Sequence, residues 1–457
     1  MSGRMTLGSL FVLSALIPGL CQAQGGYGSG AGAPPGAWQA QGPSPAFAQD
    51  SPGYTVPPQG NSNTIYEQLP DDLGFLHDDS PLEMGLKNLF RHSYFRGEYL
   101  LWTAGSPGNV LLGGQPAGGF IPTVQSSAAG GLAPPIPPNS FNVAGGNPLT
   151  QNPATAVVPS LDAFALKNIN GYRGTFGLPI GPGNAELSAF VLGTRTNQFD
   201  GSSMITPEIT ANLLAVPPIL TTTPATFIGE PITVAGVQTQ MLFTNSYLAV
   251  MKTSIWGSEA NYIFDAPNEG TGDLVTISPL FGFRYLNYRE SLSQGGVYQF
   301  VTDNTTNPVT TSPEIRALYS QSNNNYYGPQ IGTRVEMKIS KVTFGAEPKI
   351  MLGLNTYTAA LSTINVPFDN PANNVNQSFF KSKSVFAPVA DVKFSTRINI
   401  SQYANVYAAY NLMWVGSLSR PYDTIGYNIS AGGAGLFNPK FSDSIIQGLS
   451  VGGELAF

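Results

Sequence analysis

Fifteen charged residues fall at alternate positions of segments that are otherwise apolar: Arg96, Glu98, Arg173, Glu186, Glu259, Arg284, Arg334, Glu336, Lys338, Glu347, Lys349, Asp391, Lys393, Arg397 and Glu454. Asn261, Gln330 and Asn411 share the spacing. Basic and acidic groups are about equal in number. If these positions line an interior, isolated charges there would be costly, so neighbouring segments must pair them. Two chemistries stay open: a salt-bridge network that holds the fold rigid, and a selectivity lining for a solute path. Other chemistry is poorly supplied. The only histidines, His77 and His92, precede the alternating segments, so a Ser-His or Asp-His catalytic group there has no local imidazole. The single cysteine, Cys21, lies in a segment expected to be removed, which leaves no thiolate and no His/Cys metal site. Asp303 with Asn304 could hold Ca²⁺, although an Asn/Asp-rich turn is ordinarily only a turn. No catalytic, metal or cofactor site is expected.

The elements that must position these charges have a period of two. In "YYGPQIGTRVEMKI" (Tyr326–Ile339), Tyr327, Ile331, Val335, Met337 and Ile339 share one face, while Gln330, Arg334, Glu336 and Lys338 share the other. "VTFGAEPKIMLGLN" (Val342–Asn355) and Phe386–Ile398 repeat the pattern. Pro348 and Pro388 fall on apolar faces and each removes a ladder hydrogen bond, so bulges or strand ends are expected there. Extending the search predicts ten strands, near 93–103, 170–180, 185–199, 246–264, 272–292, 325–339, 342–361, 383–398, 403–418 and 446–457. Short turns alternate with long loops at about 104–169, 200–245, 293–324, 362–382 and 419–445. A hairpin at Gly296–Asp303 would raise the number to twelve.

This alternation fits an antiparallel up-and-down transmembrane β-barrel with long extracellular loops. A soluble sandwich also alternates. Two features favour the barrel. Several strands run to fourteen residues or more, against about five or six in globular proteins. Aromatic residues on the apolar face gather near both strand ends: Tyr262, Phe264, Phe344, Phe394 and Phe457 at the inner rim, Tyr285, Tyr327, Tyr410 and Trp414 at the outer. The apolar faces would then meet membrane lipid and the charges would fill the lumen. Ten strands lie near the size at which side chains occupy the interior, which favours the network over a solute path.

Composition agrees. Only 11% of the chain is charged, against roughly 25% in ordinary soluble domains. A net charge of −6 without a basic stripe argues against nucleic acid. Residues 1–23 read as a signal peptide, with Arg4 ahead of the apolar Met5–Ile17. Residues 24–79 form a Pro/Gly/Ala/Gln-rich extension, and residues 80–92 a short amphipathic helix with a Ser80–Glu83 capping box. The barrel is assigned to residues 93–457. Its last strand ends "GLSVGGELAF", where Leu449, Val451, Leu455 and Phe457 face outward and close the barrel against the strand near Tyr94, leaving no open edge in the membrane.

"WGSEANYIF" (Trp256–Phe264), "LFGFRYLNYRESL" (Leu280–Leu292), "NNYYGPQIGTRVE" (Asn324–Glu336) and "YAAYNLMWVGSLSRPYDTI" (Tyr407–Ile425) resemble the planctomycete-type outer-membrane β-barrel porin family numbered seven. The resemblance implies an outer-membrane barrel. The expected role is envelope support with a narrow passive path for small solutes; the alternative is adhesion or ligand binding by the long outer loops. Expected partners are outer-membrane lipid and the barrel assembly machinery, with small solutes or surface ligands.

Overall fold

The computed structural model describes residues 93–457, apart from 109, 115–138, 144–145, 214–218, 235, 267–273, 304–309, 367–375 and 430–434. The expected signal peptide, extension and amphipathic helix lie outside the described residues.

Twelve strand segments hydrogen-bond into one closed antiparallel sheet, and two pairs of them are single strands interrupted midway, so the wall has ten strands. They are β1 (Tyr94–Ala104), β2 (Ile169–Pro179), β3 (Gly183–Asp200), β4 (Ser246–Phe264), β5 (Val275–Asp303), β6 (Thr310–Ile339), β7 (Val342–Met351 continued by Leu354–Ile364), β8 (Ser378–Phe386 continued by Val389–Asn399), β9 (Ala404–Ser419) and β10 (Phe441–Ala456). Each pairs with its neighbours in sequence, and β1 pairs with β10. The seam runs from Tyr94 opposite Ala456 to Ala104 opposite Ile446, and the Phe457 N–H donates to the Ser93 carbonyl at 2.9 Å. Leu449, Val451, Leu455 and Phe457 are all exposed on its outer face.

Three expectations are corrected. The described residues of the expected loop at 293–324 are strand: β5 and β6 stay paired from Val275 opposite Met337 up to Asp303 opposite Thr310, so Gly296–Asp303 extends a hairpin instead of forming an extra one. Pro348 lies inside the first part of β7 without a register shift, opposite Val392. Towards β6 the ladder lapses only between Gly332–Lys349 and Val335–Ala346, so the proline costs local bonds but no bulge. The outer loops at 104–169, 200–245 and 419–445 are not structureless. Ser140–Asn142, Ala154–Val157, Ala225–Val234, Val237–Phe243 and Asn428–Ile429 join in a second sheet that caps the outer mouth. Pro388 does interrupt β8, in the gap between Phe386 and Val389, where it has no N–H to donate.

Outward side chains along the lower wall are apolar, with Tyr262 and Phe264 in edge-to-face contact at 4.9 Å near the inner rim and Trp256 and Tyr285 at 5.0 Å near the outer. Both faces of the cap sheet bury apolar side chains. One face joins Ile228, Ile232, Met241 and Phe243 to Tyr247, Met251, Leu292 and Leu318 of the barrel mouth; the other buries Phe141, Ala156, Phe227 and Leu242.

Candidate functional site

Alternation sends the charged residues inward, and register decides which of them meet. Five opposite-charge pairs sit directly across adjacent strands: Arg96 and Glu454, Glu98 and Arg173, Glu259 and Arg284, Glu347 and Lys393, Lys349 and Asp391. Their closest N···O distances are 3.2, 3.7, 2.8, 3.3 and 3.8 Å in that order. Further bridges cross the lumen. Arg334 of β6 reaches Glu186 of β3 with two bonds of 2.7 and 2.8 Å, and Lys349 of β7 reaches Glu259 of β4 at 3.0 Å. Arg284 of β5 joins Asp391 of β8. Glu347 is a hub that accepts Arg334, Lys349 and Lys393 at 2.7, 3.0 and 3.3 Å. Glu336 and Arg397 form a looser 3.8 Å pair, and Arg397 also holds Glu454 at 3.4 Å. Fourteen of the fifteen sequence-identified charges are therefore ion-paired, in one group of six around Arg96 and Glu454 and one of eight around Glu347 and Glu259. Lys338 is not: it is exposed beside the inner turn and has no ion-pair partner within 4.0 Å among the described residues.

Little free volume is left. A void of about 20 Å³ lies among Trp102, Arg173, Glu259, Lys349 and Asn411, room for about one water. Nearer the inner end, Tyr94, Arg96, Glu186, Arg334, Arg397 and Tyr407 line a vestibule of about 170 Å³.

Above the charges the interior turns apolar. Leu100 and Trp102 of β1, Leu192 of β3, Ile255 of β4, Leu286 of β5, Met351 of β7, Val389 of β8, Met413 of β9 and Ile446 of β10 form one buried cluster. The Arg173 guanidinium stacks over the Trp102 ring at 5.1 Å where the two layers meet.

A second polar layer follows, which the sequence reading missed. β9 bends inward after Val415, where its register with β10 shifts and Ser417 takes a left-handed φ of 52°. That bend sends the last outer loop into the barrel. Asn355 donates to the Ser417 carbonyl and Asn324 to that of Ser419, at 2.9 and 2.8 Å. Arg420 then grips Glu290 with bonds of 3.0 and 2.7 Å, and the turn Pro421–Thr424 packs behind it. Both residues stand in the quoted motifs "NYRESL" and "LSRPYD", but Glu290 sits at the end of an assigned strand and Arg420 in an assigned loop, so nothing placed them together.

The cap docks through another buried acid. Glu230 accepts from the Tyr247 hydroxyl and the Gln294 amide, each at 2.9 Å, and Gln294 also donates to the Tyr427 hydroxyl at 3.0 Å. Burial with only neutral donors nearby pushes the Glu230 carboxyl up to about 8.

The fold and this interior define an outer-membrane β-barrel of ten strands whose lumen is filled in layers. The sequence profile of the family described as "Putative beta barrel porin-7 (BBP7)" matches residues 142–457, and the chain belongs to that family. β1 precedes the matched region. No curated protein matches the sequence. Among solved structures, the outer membrane protease OmpT from Escherichia coli is similar at 11% identity and a TM-score of 0.39, over 80% of this chain and 97% of that one. The Pseudomonas putida toluene transporter TodX follows at 8% identity and 0.20, over 80% and 90%. OmpT of Vibrio cholerae follows at 6% and 0.11, over 80% and 98%.

Proposed function

We propose that the protein is a closed, non-catalytic structural barrel of the outer membrane that presents its sheet-bearing cap to the exterior. The apolar layer carries this reading. Buried side chains from all ten strands, Ile169 of β2 and Tyr326 of β6 included, meet across the lumen between the ion-paired layer below and the Arg420–Glu290 pair above. An ion on that route would have to leave water inside an apolar constriction, which dewets and blocks conduction. The charged network supports the same reading, because its acids and bases neutralise one another instead of leaving one sign free to select a solute.

The alternative role for the outer loops also has an observation in its favour. They fold into a sheet with an apolar core of its own, a rigid platform of the kind on which recognition surfaces are built. The test is conductance of refolded full-length protein in planar bilayers. The expected record is flat at physiological salt; discrete steps of reproducible size would overturn the closed-barrel reading.

A further inference from the structure

The outer face of the wall carries a second feature, independent of whether the lumen conducts. Along β4, β5 and β6 the outward side chains up to Trp256, Tyr285 and Tyr327 are apolar apart from Ser258 and Thr333, and beyond them they turn polar and charged. Two residues beyond Trp256 on β4, the register aligns Ser254, Arg289, Asn323, Thr358 and Ser382 across five strands. The next outward position on β4 is Lys252, opposite Ser291, which places it diagonal to Arg289 on the same face. Diagonal neighbours in an antiparallel sheet lie about 7–8 Å apart, so the two cations can share one ligand. Both are exposed, while the residues on either side of each point inward and are buried. With its amide turned to face it, Gln321 accepts two bonds from the Arg289 guanidinium, at 2.9 and 3.2 Å, which holds the fork flat against the strands.

Position and chemistry together identify a ligand. Two residues of strand advance about 7 Å, and the headgroup layer of a bilayer is about 5–8 Å deep, so a row that far beyond the aromatic belt lies at headgroup level. Here a chain with a net charge of −6 presents two cations among amides and hydroxyls, with no carboxylate in this row or beside Lys252. An Arg fork, a Lys point charge and neutral donors make a phosphate-binding set. A neutral headgroup would leave both cations without counter-charge.

We propose that the outward face of β4–β6 just beyond the aromatic belt binds the phosphate-bearing headgroup of an outer-leaflet lipid, with Lys252 and Arg289 as the phosphate contacts. The test uses full-length protein refolded in neutral detergent and native mass spectrometry. Four probes are titrated: a bis-phosphorylated diglucosamine lipid, its dephosphorylated form, phosphatidylcholine and inorganic phosphate. The bis-phosphorylated lipid should remain bound at one or two copies, at least tenfold tighter than the other two lipids, and millimolar inorganic phosphate should not displace it. K252Q/R289Q should lose at least tenfold in affinity, each single change should lose part of that, and K341Q in the inner turn should lose nothing. Heat-modifiable migration of each variant reports that its barrel is folded. Equal binding of the dephosphorylated lipid, or unchanged binding by the folded double variant, overturns the proposal. Efficient displacement by inorganic phosphate overturns the lipid assignment and leaves a site for the free anion.

Discussion

Arg420, carried into the barrel by the last outer loop, meets Glu290 of β5 in a two-pronged ion pair whose side chains are 2% and 0% exposed. The pair ties the loop to the wall opposite its point of entry. Removing only the cation strands a buried carboxylate, which costs about 3–5 kcal/mol, whereas replacing both partners by apolar groups of similar volume is often neutral. R420M is therefore expected to lower the unfolding midpoint in urea, and R420M/E290L to recover most of the loss. A double variant as unstable as the sum of the singles would show that the pair does not act as a unit.

Glu230 makes cap docking sensitive to pH. The folded carboxyl keeps its proton up to about 8, while the unfolded one releases it near 4.5. Its contribution is thus full below about pH 4.5 and is lost as pH rises through 8, by on the order of 4–5 kcal/mol. Limited proteolysis of residues 225–243 should accelerate between pH 6 and 9 in the wild type. In E230Q the rate should be flat over the same range.

Much of the wall could be read from sequence because membrane outside and charge inside give each strand a strong period of two. That contrast fades where β5 and β6 continue beyond the membrane. Ser293, Gln321 and Asn323 face outward there while Gln294, Ser322 and Asn324 face inward, so both faces are polar and the segment reads as loop. The inward charges were legible as a set. Their partners were not, because Arg334 and Glu186 meet across the lumen from strands 148 residues apart in sequence. The cap sheet pairs segments from three separate loops, and no local pattern announces such pairing.

Trp102 is the largest side chain of the apolar layer and is 2% exposed. W102A should cost about 3–5 kcal/mol and leave a cavity next to the existing 20 Å³ void. If this layer is the seal, the variant should raise ion leakage from dye-loaded liposomes while the wild type stays tight. Equal leakage from both would place the barrier elsewhere.

Gly452 lies opposite Glu98 at the seam, and a Cβ there would run into the backbone of Gly97 and Glu98. G452A should weaken closure between β1 and β10 and raise the fraction that migrates as unfolded protein without heating. G453A, whose Cβ would meet only the Asn405 carbonyl oxygen at 3.8 Å, is the control and should migrate as wild type.

The paired charges between β7 and β8 also bear on how the wall assembles. A slip of one residue would turn the lysines and acids of one strand out into hydrocarbon. A slip of two keeps every side chain on its proper face, so hydrophobicity alone cannot detect it. In one direction, however, it sets Lys349 against Lys393, and in the other Glu347 against Asp391. At the seam one such slip brings Glu98 opposite Glu454. The alternation of sign along these strands is an error-detecting code for strand insertion, rejecting misalignments that the greasy exterior would accept.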